Sequence, residues 1–266
     1  MPKALAPTAT RNRILRMVGQ TDWELIGPHL EAVALEAREV IETPEKPINH
    51  IYFPNTGMVS VVAVNSDDHR MEVGVIGYEG FTGVPLVMGD TRAQHSAYMQ
   101  IGGNGHRIAS DVFRTAMIRS DKFRALALKS AQGFMIQTSY TALANGRAKL
   151  EQRLARWLLM AHDRVVTDEV PLTHEFLAVM LGVRRAGVTV AIQRFQERGL
   201  VTTKRRLLTV ADRAGLEHVA GSFYGTPEAE LTRLLGNQPS GISEMAEGQD
   251  LSDNQRRDHS QVGLNT

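Results

Sequence analysis

The chain changes character at Asp111. Residues 33–110 run in short β-prone stretches, VALEAREVI, HIYFP, GMVSVVAV, HRMEVGVI, HSAYMQI and HRIA, separated by turn formers such as ETPEKP, NSDD, GYEG and GGNG. Over residues 111–166 good helix formers dominate, and no proline falls between Pro85 and Pro171. Such a switch places an all-β unit before a helical one, so the expected class is α+β, with an N-terminal β-roll of jelly-roll type. Met71, Val73 and Val75 alternate with Glu72 and Gly74, as in a half-buried strand. Gly102-Gly103-Asn104-Gly105 reads as a hairpin turn.

The 266 residues allow one large or two modest domains. Short helices are expected over 11–18 and 22–30, the second with Thr21 and Glu24 at capping-box spacing. Phe123, Leu126, Ser130, Gly133/Phe134, Gln137, Tyr140/Thr141 and Ala144 recur at helical spacing. They predict a long helix whose seam packs on its own domain or on a second subunit. Asn145-Gly146 is the expected break before a helix with Leu150, Leu154, Trp157, Leu158 and Ala161 on one stripe. The expected organisation is an arm and helix over 1–20, a β-roll over 21–110, a long helix over 111–146, a helical domain over 147–225 and a disordered tail over 237–266.

Lys and Arg number 30 against 29 Asp and Glu, yet the charge is unevenly spread. Residues 19–110 carry 12 acids and 5 bases. Residues 184–206 carry Arg184, Arg185, Arg194, Arg198, Lys204, Arg205 and Arg206 against Glu197 alone. A local basic cluster on a neutral chain points to a polyanion site in one region. The chain has no Cys, which excludes disulfides and thiolate-held metals. No stretch approaches the roughly 18 apolar residues of a membrane span. MPKALAPTATRNR has no apolar run long enough for a secretory signal. A cytoplasmic protein with no membrane partner is expected.

The basic cluster falls within LTHEFLAVMLGVRRAGVTVAIQRFQERGLV, residues 172–201. Thr173 is placed to cap a helix, Glu175 lies in its first turn, and Leu172, Phe176, Leu177, Met180 and Leu181 share a face. Gly182 supplies a turn. Val188, Ala191, Ile192 and Phe195 then bury one side of a second helix, leaving Arg184, Arg185, Thr189, Gln193 and Gln196 outside the stripe. Helix, glycine turn and basic second helix form the helix-turn-helix pattern, whose second helix enters the major groove of DNA. TTKRRLLTV follows as a strand pair with Lys204, Arg205 and Arg206 near its tip, a wing placed to grip phosphate.

At this point the chain resembles the Crp/Fnr family of bacterial transcription regulators, over almost its whole length up to about residue 225. The resemblance is carried by IYFPNTGMVSVV, MEVGVIGYEGFTG, LEQRLARWLL, the 172–201 segment and DRAGLEHVAGSFYG. It implies a cyclic-nucleotide-binding-domain-like β-roll sensor, a long dimerisation helix and a C-terminal winged helix-turn-helix. It also implies a homodimer on pseudo-palindromic double-stranded DNA, with RNA polymerase a further partner if the protein activates. Arg185 aligns with a base-reading residue, bidentate to guanine, and Thr189 is the second candidate base contact. Phosphate contacts are expected from Thr173, His174, Arg184, Gln193, Lys204, Arg205 and Arg206. The family's recognition helix commonly opens Ser-Arg-Glu-Thr-Val, where this chain has Arg184, Arg185, Ala186, Gly187 and Val188. The Glu that would accept from cytosine is absent, so the usual half-site does not carry over.

The sensor departs further. Cyclic-nucleotide members have a Gly-Glu pair followed by an Arg that meets the cyclic phosphate. Here His95 replaces that Arg ahead of Ser96-Ala97, and Arg92 lies three residues early. A neutral imidazole substitutes poorly for a guanidinium fork, which argues against a cyclic nucleotide. Glu79, Gly80, Arg92, His95 and Ser96 are the candidate pocket for a small-molecule effector that the sequence does not identify. No cofactor is expected: the absence of Cys excludes a cysteine-ligated iron–sulfur cluster, while His50, His69, His95 and His106 leave haem open. No GxSxG, HExxH or P-loop pattern occurs, so an enzyme is not expected. Two alternatives stand beside the effector-controlled regulator. One is a constitutive DNA-binding dimer with a ligand-free β-roll. The other is a cupin-like metalloenzyme using His50, His69 and Glu72.

Overall fold

The computed structural model describes residues 10–236; the arm before residue 10 and the tail from 237, expected to be disordered, lie outside the described residues. Two short helices open the chain, α1 (Arg13–Met17) and α2 (Gln20–Ile26). Asn12 caps α1 by accepting from the Ile14 and Leu15 N–H groups, and its amide donates to the Pro54 and Gly80 carbonyls. The cap thus ties the helix to the roll. Helix α2 starts one residue after Gly19, so Thr21 sits inside its first turn and does not cap it.

Seven strands build the roll: β1 (Glu31–Leu35), β2 (Val40–Glu42), β3 (His50–Pro54), β4 (Met58–Val64), β5 (Arg70–Ile76), β6 (Ser96–Ile101) and β7 (Gly103–Ala109), with a short helix α3 (Val84–Val87) after β5. They pair antiparallel in two sheets, ordered β1-β7-β3 and β2-β6-β4-β5. Leu35, Val59, Val61, Ile76, Ala97 and Met99 fill the interior. The glycine run at 102–105 is not a hairpin turn, because β6 and β7 belong to different sheets and the chain crosses between them at Gly102. Gly103 and Gly105 lie within β7, where a Cβ would collide with the Thr56 and Phe53 carbonyls. Close backbone approach is what those glycines permit.

Strand β5 also departs from simple alternation. Val62 pairs with Glu72 and Ser60 with Val75, with a register shift between Val61 and Val62. Ser60 and Val62 share a face, so Glu72 and Val75 share it too, three residues apart across a bulge at Val73. The bulge turns a carboxylate inward: Glu72 is buried and Met71 is exposed, the reverse of the alternation read from sequence.

The helical segment begins with α4 (Ser110–Arg119) and α5 (Asp121–Arg147), so the interval read as one long helix is two. Ser120 makes the break, extended at φ −129°, with its hydroxyl accepting the Phe123 N–H at 3.0 Å. Phe53, Phe81, Phe113 and Phe123 form a chain of rings 5.4–5.6 Å apart that joins roll to helices. The expected seam of α5, from Phe123 to Ala144, packs on its own chain. Its polar members have partners there: Gln137 accepts the Val75 N–H at 2.6 Å and Thr141 accepts from Arg156 at 3.1 Å. The helix runs through Asn145-Gly146, where Arg153 donates to the Asn145 side-chain amide oxygen at 3.1 Å, and the break falls at Ala148-Lys149 instead. On the opposite side Ala125, Leu128, Gln132, Met135, Ser139, Ala142 and Gly146 are exposed, at alternating spacings of three and four.

Beyond the break come α6 (Leu150–His162), β8 (Glu169–Pro171), α7 (His174–Leu181), α8 (Arg185–Glu197), β9 (Val201–Lys204), β10 (Leu207–Val210), α9 (Arg213–Ala220) and α10 (Thr226–Leu235). Val170, Leu177, Leu181, Val188, Ile192, Phe195 and Leu208 join α6 in one core with Met58, Val75 and Ile101 of the roll. At this seam Trp157 donates to one Glu72 oxygen at 2.8 Å and the Ser60 hydroxyl donates to the other. Burial pushes the Glu72 carboxyl from 4.5 up to about 7, against the pull of those two hydrogen bonds and of Arg156 and Arg164 nearby. Helix α10 lies along α5, and its Leu235 joins the core of α1, α2 and the phenylalanines.

A carboxyl whose folded value lies above its unfolded one favours the folded state at low pH. That stability is lost as pH rises from about 4.5 to about 7. Glu72→Gln keeps the shape and both hydrogen bonds of the protonated acid. It should match the wild type below this window and exceed it by about 3 kcal/mol above it. Urea denaturation over a pH series checks this, and a gap that does not widen through the window refutes it.

Candidate nucleic-acid interface

Thr173 caps α7 by accepting the Phe176 N–H at 3.2 Å. The helix ends on Gly182, left-handed at φ 60° and ψ 40°, and the chain re-enters α8 two residues later through Arg184. Left-handed backbone is strain-free for glycine, which fixes the sharp turn between the helices. Val188, Ala191, Ile192 and Phe195 are buried as their spacing requires, so α8 turns its remaining faces outward. Arg184 forms no side-chain cap, leaving the first-turn N–H groups of α8 open to an anion.

Strand β10 pairs with both β8 and β9. Lys204 pairs with Leu207, so Arg205 and Arg206 are the whole two-residue loop of the wing. Both have positive φ, 41° and 67°, the left-handed pair that such a hairpin demands and that Asn-Gly usually fills. Two arginines here cost about 1–2 kcal/mol each in backbone strain. Gln196 ties the wing to α8 by donating to Thr203 at 3.0 Å.

Between α7, the start of α8 and the wing lies a groove of about 620 Å³. It is lined by Thr173, His174, Glu175, Arg185, Arg205 and Arg206, and by Arg38 from the roll. The His174 ring and the Thr189 hydroxyl are in hydrogen-bond contact at 2.9 Å, and Thr189 also donates to the Arg185 carbonyl at 3.2 Å. Glu175 holds Arg185 at 2.9 Å, with both side chains largely exposed. The structure thus gathers Thr173, His174, Arg185, Arg205 and Arg206 at one groove, with Thr189 outside the lining but in contact with His174. Arg184, Gln193 and Lys204 are exposed outside its lining. Glu175, read from sequence as a first-turn acid of α7, is brought to Arg185 by the folded turn.

The candidate effector residues divide. Glu79 and Gly80 line a cavity of about 40 Å³ with Ser130, Gly133, Gln137 and Arg164, and with Pro227, Glu228 and Leu231 of α10. Glu79 is engaged there by Arg164, whose Nη2 and Nε lie 2.6 and 2.9 Å from one carboxylate oxygen. Arg92 does not line this cavity; it pairs with Glu45 at 3.3 Å. His95 and Ser96 lie at the start of β6, also outside the cavity lining, and burial lowers the His95 imidazole. The cavity is small beside ligand pockets of about 300 Å³ or more, and Glu79 already has Arg164 as a buried partner. His50, His69 and Glu72 are not gathered as a ligand set: Glu72 is engaged by Ser60 and Trp157, and His69 contacts Asn65. Among the described residues no three His, Cys, Asp or Glu side chains cluster to hold a metal.

Residues 152–219 match the family model of the Crp-like helix-turn-helix domain. No curated protein sequence matches the chain. Among solved structures, FixK2 from Bradyrhizobium japonicum superposes with a TM-score of 0.63 at 17% identity, over 73% of this chain and 98% of that one. A CRP/FNR-family transcriptional regulator from Thermus thermophilus gives 0.58 at 18%, over 71% and 98%. The c-di-GMP-responsive global regulator CLP from Xanthomonas campestris gives 0.56 at 16%, over 72% and 99%. At these identities the likeness is one of fold. Residues 152–219 form a Crp-like helix-turn-helix domain, and the chain has the fold of the Crp/Fnr regulators.

Proposed function

We propose that this protein is a sequence-specific DNA-binding transcription regulator of the Crp/Fnr type. The observation that carries the reading is the groove in which Arg185 of α8 meets Arg205 and Arg206 of the wing. Arginines held in strained backbone at an exposed tip support a role in gripping phosphate. In this reading Arg185 and Thr189 read base edges, and Thr173, His174, Arg184, Gln193, Lys204, Arg205 and Arg206 position the backbone. Glu175 holds Arg185 until DNA replaces it.

The regulator acts as a homodimer on a pseudo-palindromic operator. The support is the exposed stripe of α5, Ala125, Leu128, Gln132, Met135, Ser139, Ala142 and Gly146. Alternating three and four spacing of apolar and small residues suits a second copy of the same helix. Leu128 and Met135 are 47% and 53% exposed, a large apolar area to leave in water. An effector at the β-roll would bias the position of these helices, with RNA polymerase a partner if the protein activates. The second reading, a constitutive dimer whose roll binds no ligand, is favoured by the 40 Å³ cavity and the engaged Glu79. Calorimetry of the purified protein with c-di-GMP, cyclic nucleotides and haem separates the two, saturable heat excluding the second.

Arg185→Ala should relax base preference at one half-site position, costing about 1–3 kcal/mol there. Replacing Arg205-Arg206 by Asn-Gly should instead weaken binding to every sequence and flatten its salt dependence, while raising folding stability by about 1–2 kcal/mol. Binding across operator variants and salt concentrations, with a thermal melt of each protein, checks both; uniform loss from Arg185→Ala refutes the base-reading role. Leu128→Glu with Met135→Glu should yield a folded monomer by light scattering, with DNA affinity reduced by orders of magnitude. A dimer that survives both changes removes α5 from the interface.

A further inference from the structure

Arg38 stands apart from the other groove residues, because it belongs to the roll. It occupies the turn between β1 and β2 with φ 73°, a conformation that an L-residue holds only under constraint. The constraint is visible: the Arg38 N–H donates to the Met99 carbonyl at 2.7 Å, and the Met99 N–H donates to the Glu39 carbonyl at 2.9 Å. Met99 is fully buried in the roll interior, so the turn is clamped to the frame of β6. No carboxylate forms an ion pair with Arg38 among the described residues. Glu39 accepts the Glu36 N–H at 3.0 Å, and Glu175, the one acid lining the groove, is paired with Arg185. Among the described residues, then, Arg38, Arg205 and Arg206 converge on one groove with no carboxylate of their own. Three exposed arginines on constrained backbone, with no ion pair of their own, favour a polyanion that spans them.

We infer that Arg38 is a phosphate-positioning residue, through which the β-roll grips the same DNA as the wing and the recognition helix. The inference rests on the DNA-binding reading and extends it: the surface that meets DNA is built from both halves of the chain. Because roll and winged domain must keep their mutual arrangement for Arg38 to reach the strand that the wing holds, DNA affinity depends on that arrangement directly. Arg38 reads no base edge, so its contribution is the same on every sequence.

The test measures binding by fluorescence anisotropy over a series of salt concentrations. The probe is a mixed-sequence duplex long enough for two half-sites, together with duplexes selected from it. Arg38→Asn removes the charge while tolerating positive φ, and Arg38→Lys keeps the charge. The expected result is a salt slope shallower by about 1 per subunit for Arg38→Asn, with unchanged sequence preference and near-wild-type behaviour for Arg38→Lys. An Arg38→Asn slope equal to that of the wild type, while Arg205→Asn flattens it in the same assay, overturns the role of Arg38 and leaves the DNA-binding reading standing. A wild type that binds no duplex overturns both. A changed base preference in Arg38→Asn overturns the phosphate assignment.

Discussion

A buried ion pair, Arg164 with Glu79, ties the helical domain to the roll. Both side chains are almost fully buried, and Arg164 also donates to the Met160 carbonyl at 2.6 Å. Losing one partner of such a pair typically costs about 3–5 kcal/mol, because the other charge is left stranded. The pair fastens the C-terminal end of α6 to the loop after β5. Further along the same helix Trp157 is fastened to Glu72, and at its start Glu151 holds Arg194 of the recognition helix at 2.6 Å. One helix pinned at three points sets where α8 stands relative to the roll. The GYEG loop and α8 are thus joined through one helix.

Charge is handled in opposite ways in the interior and at the rim. Inside, the charges at the seam between the domains have partners: Arg164 with Glu79, and Arg156 with Thr141 and the Phe223 carbonyl. At the groove only Arg185 has a carboxylate partner, Glu175, while Arg38, Arg205 and Arg206 have none and all three sit in strained backbone. A surface optimised for folding alone would place none of the three there.

The helix-turn-helix was legible because its signals are local. Thr173, Gly182 and the Val188–Ala191–Ile192–Phe195 stripe each act within a few residues, and the structure uses each as its chemistry suggests. The roll was legible as a class, but its details were decided by partners distant in sequence. Glu72 reads as an outward residue until Ser60 and Trp157 are brought to it, and Gly103 and Gly105 read as a turn until the strands that crowd them are in place. The break at Ser120 has a helix-capping residue as its only sequence mark. The stripe of α5 that lies exposed is chemically close to the stripe that is buried, so periodicity alone left the inward face ambiguous. Helix α10 has a faint signature, Pro227 in the first turn and then Leu231, Leu234 and Leu235 at helical spacing. The groove was legible as a set of basic residues on the winged side; Arg38 was not, because nothing local links a β-turn arginine to a recognition helix.

The placement of α10 bears on how the chain is made. Leu235 and Leu231 complete a hydrophobic cluster whose other members include Ile14, Leu15 and Trp23, from the opposite end of the described chain. As the chain leaves the ribosome the roll appears first, with that cluster unfinished and apolar surface on α5 uncovered. Only after the winged domain has been synthesised does α10 arrive to cover it. Contacts this distant in sequence form slowly and leave sticky surface open meanwhile, so the nascent roll is a natural client for a chaperone until its last helix is in place.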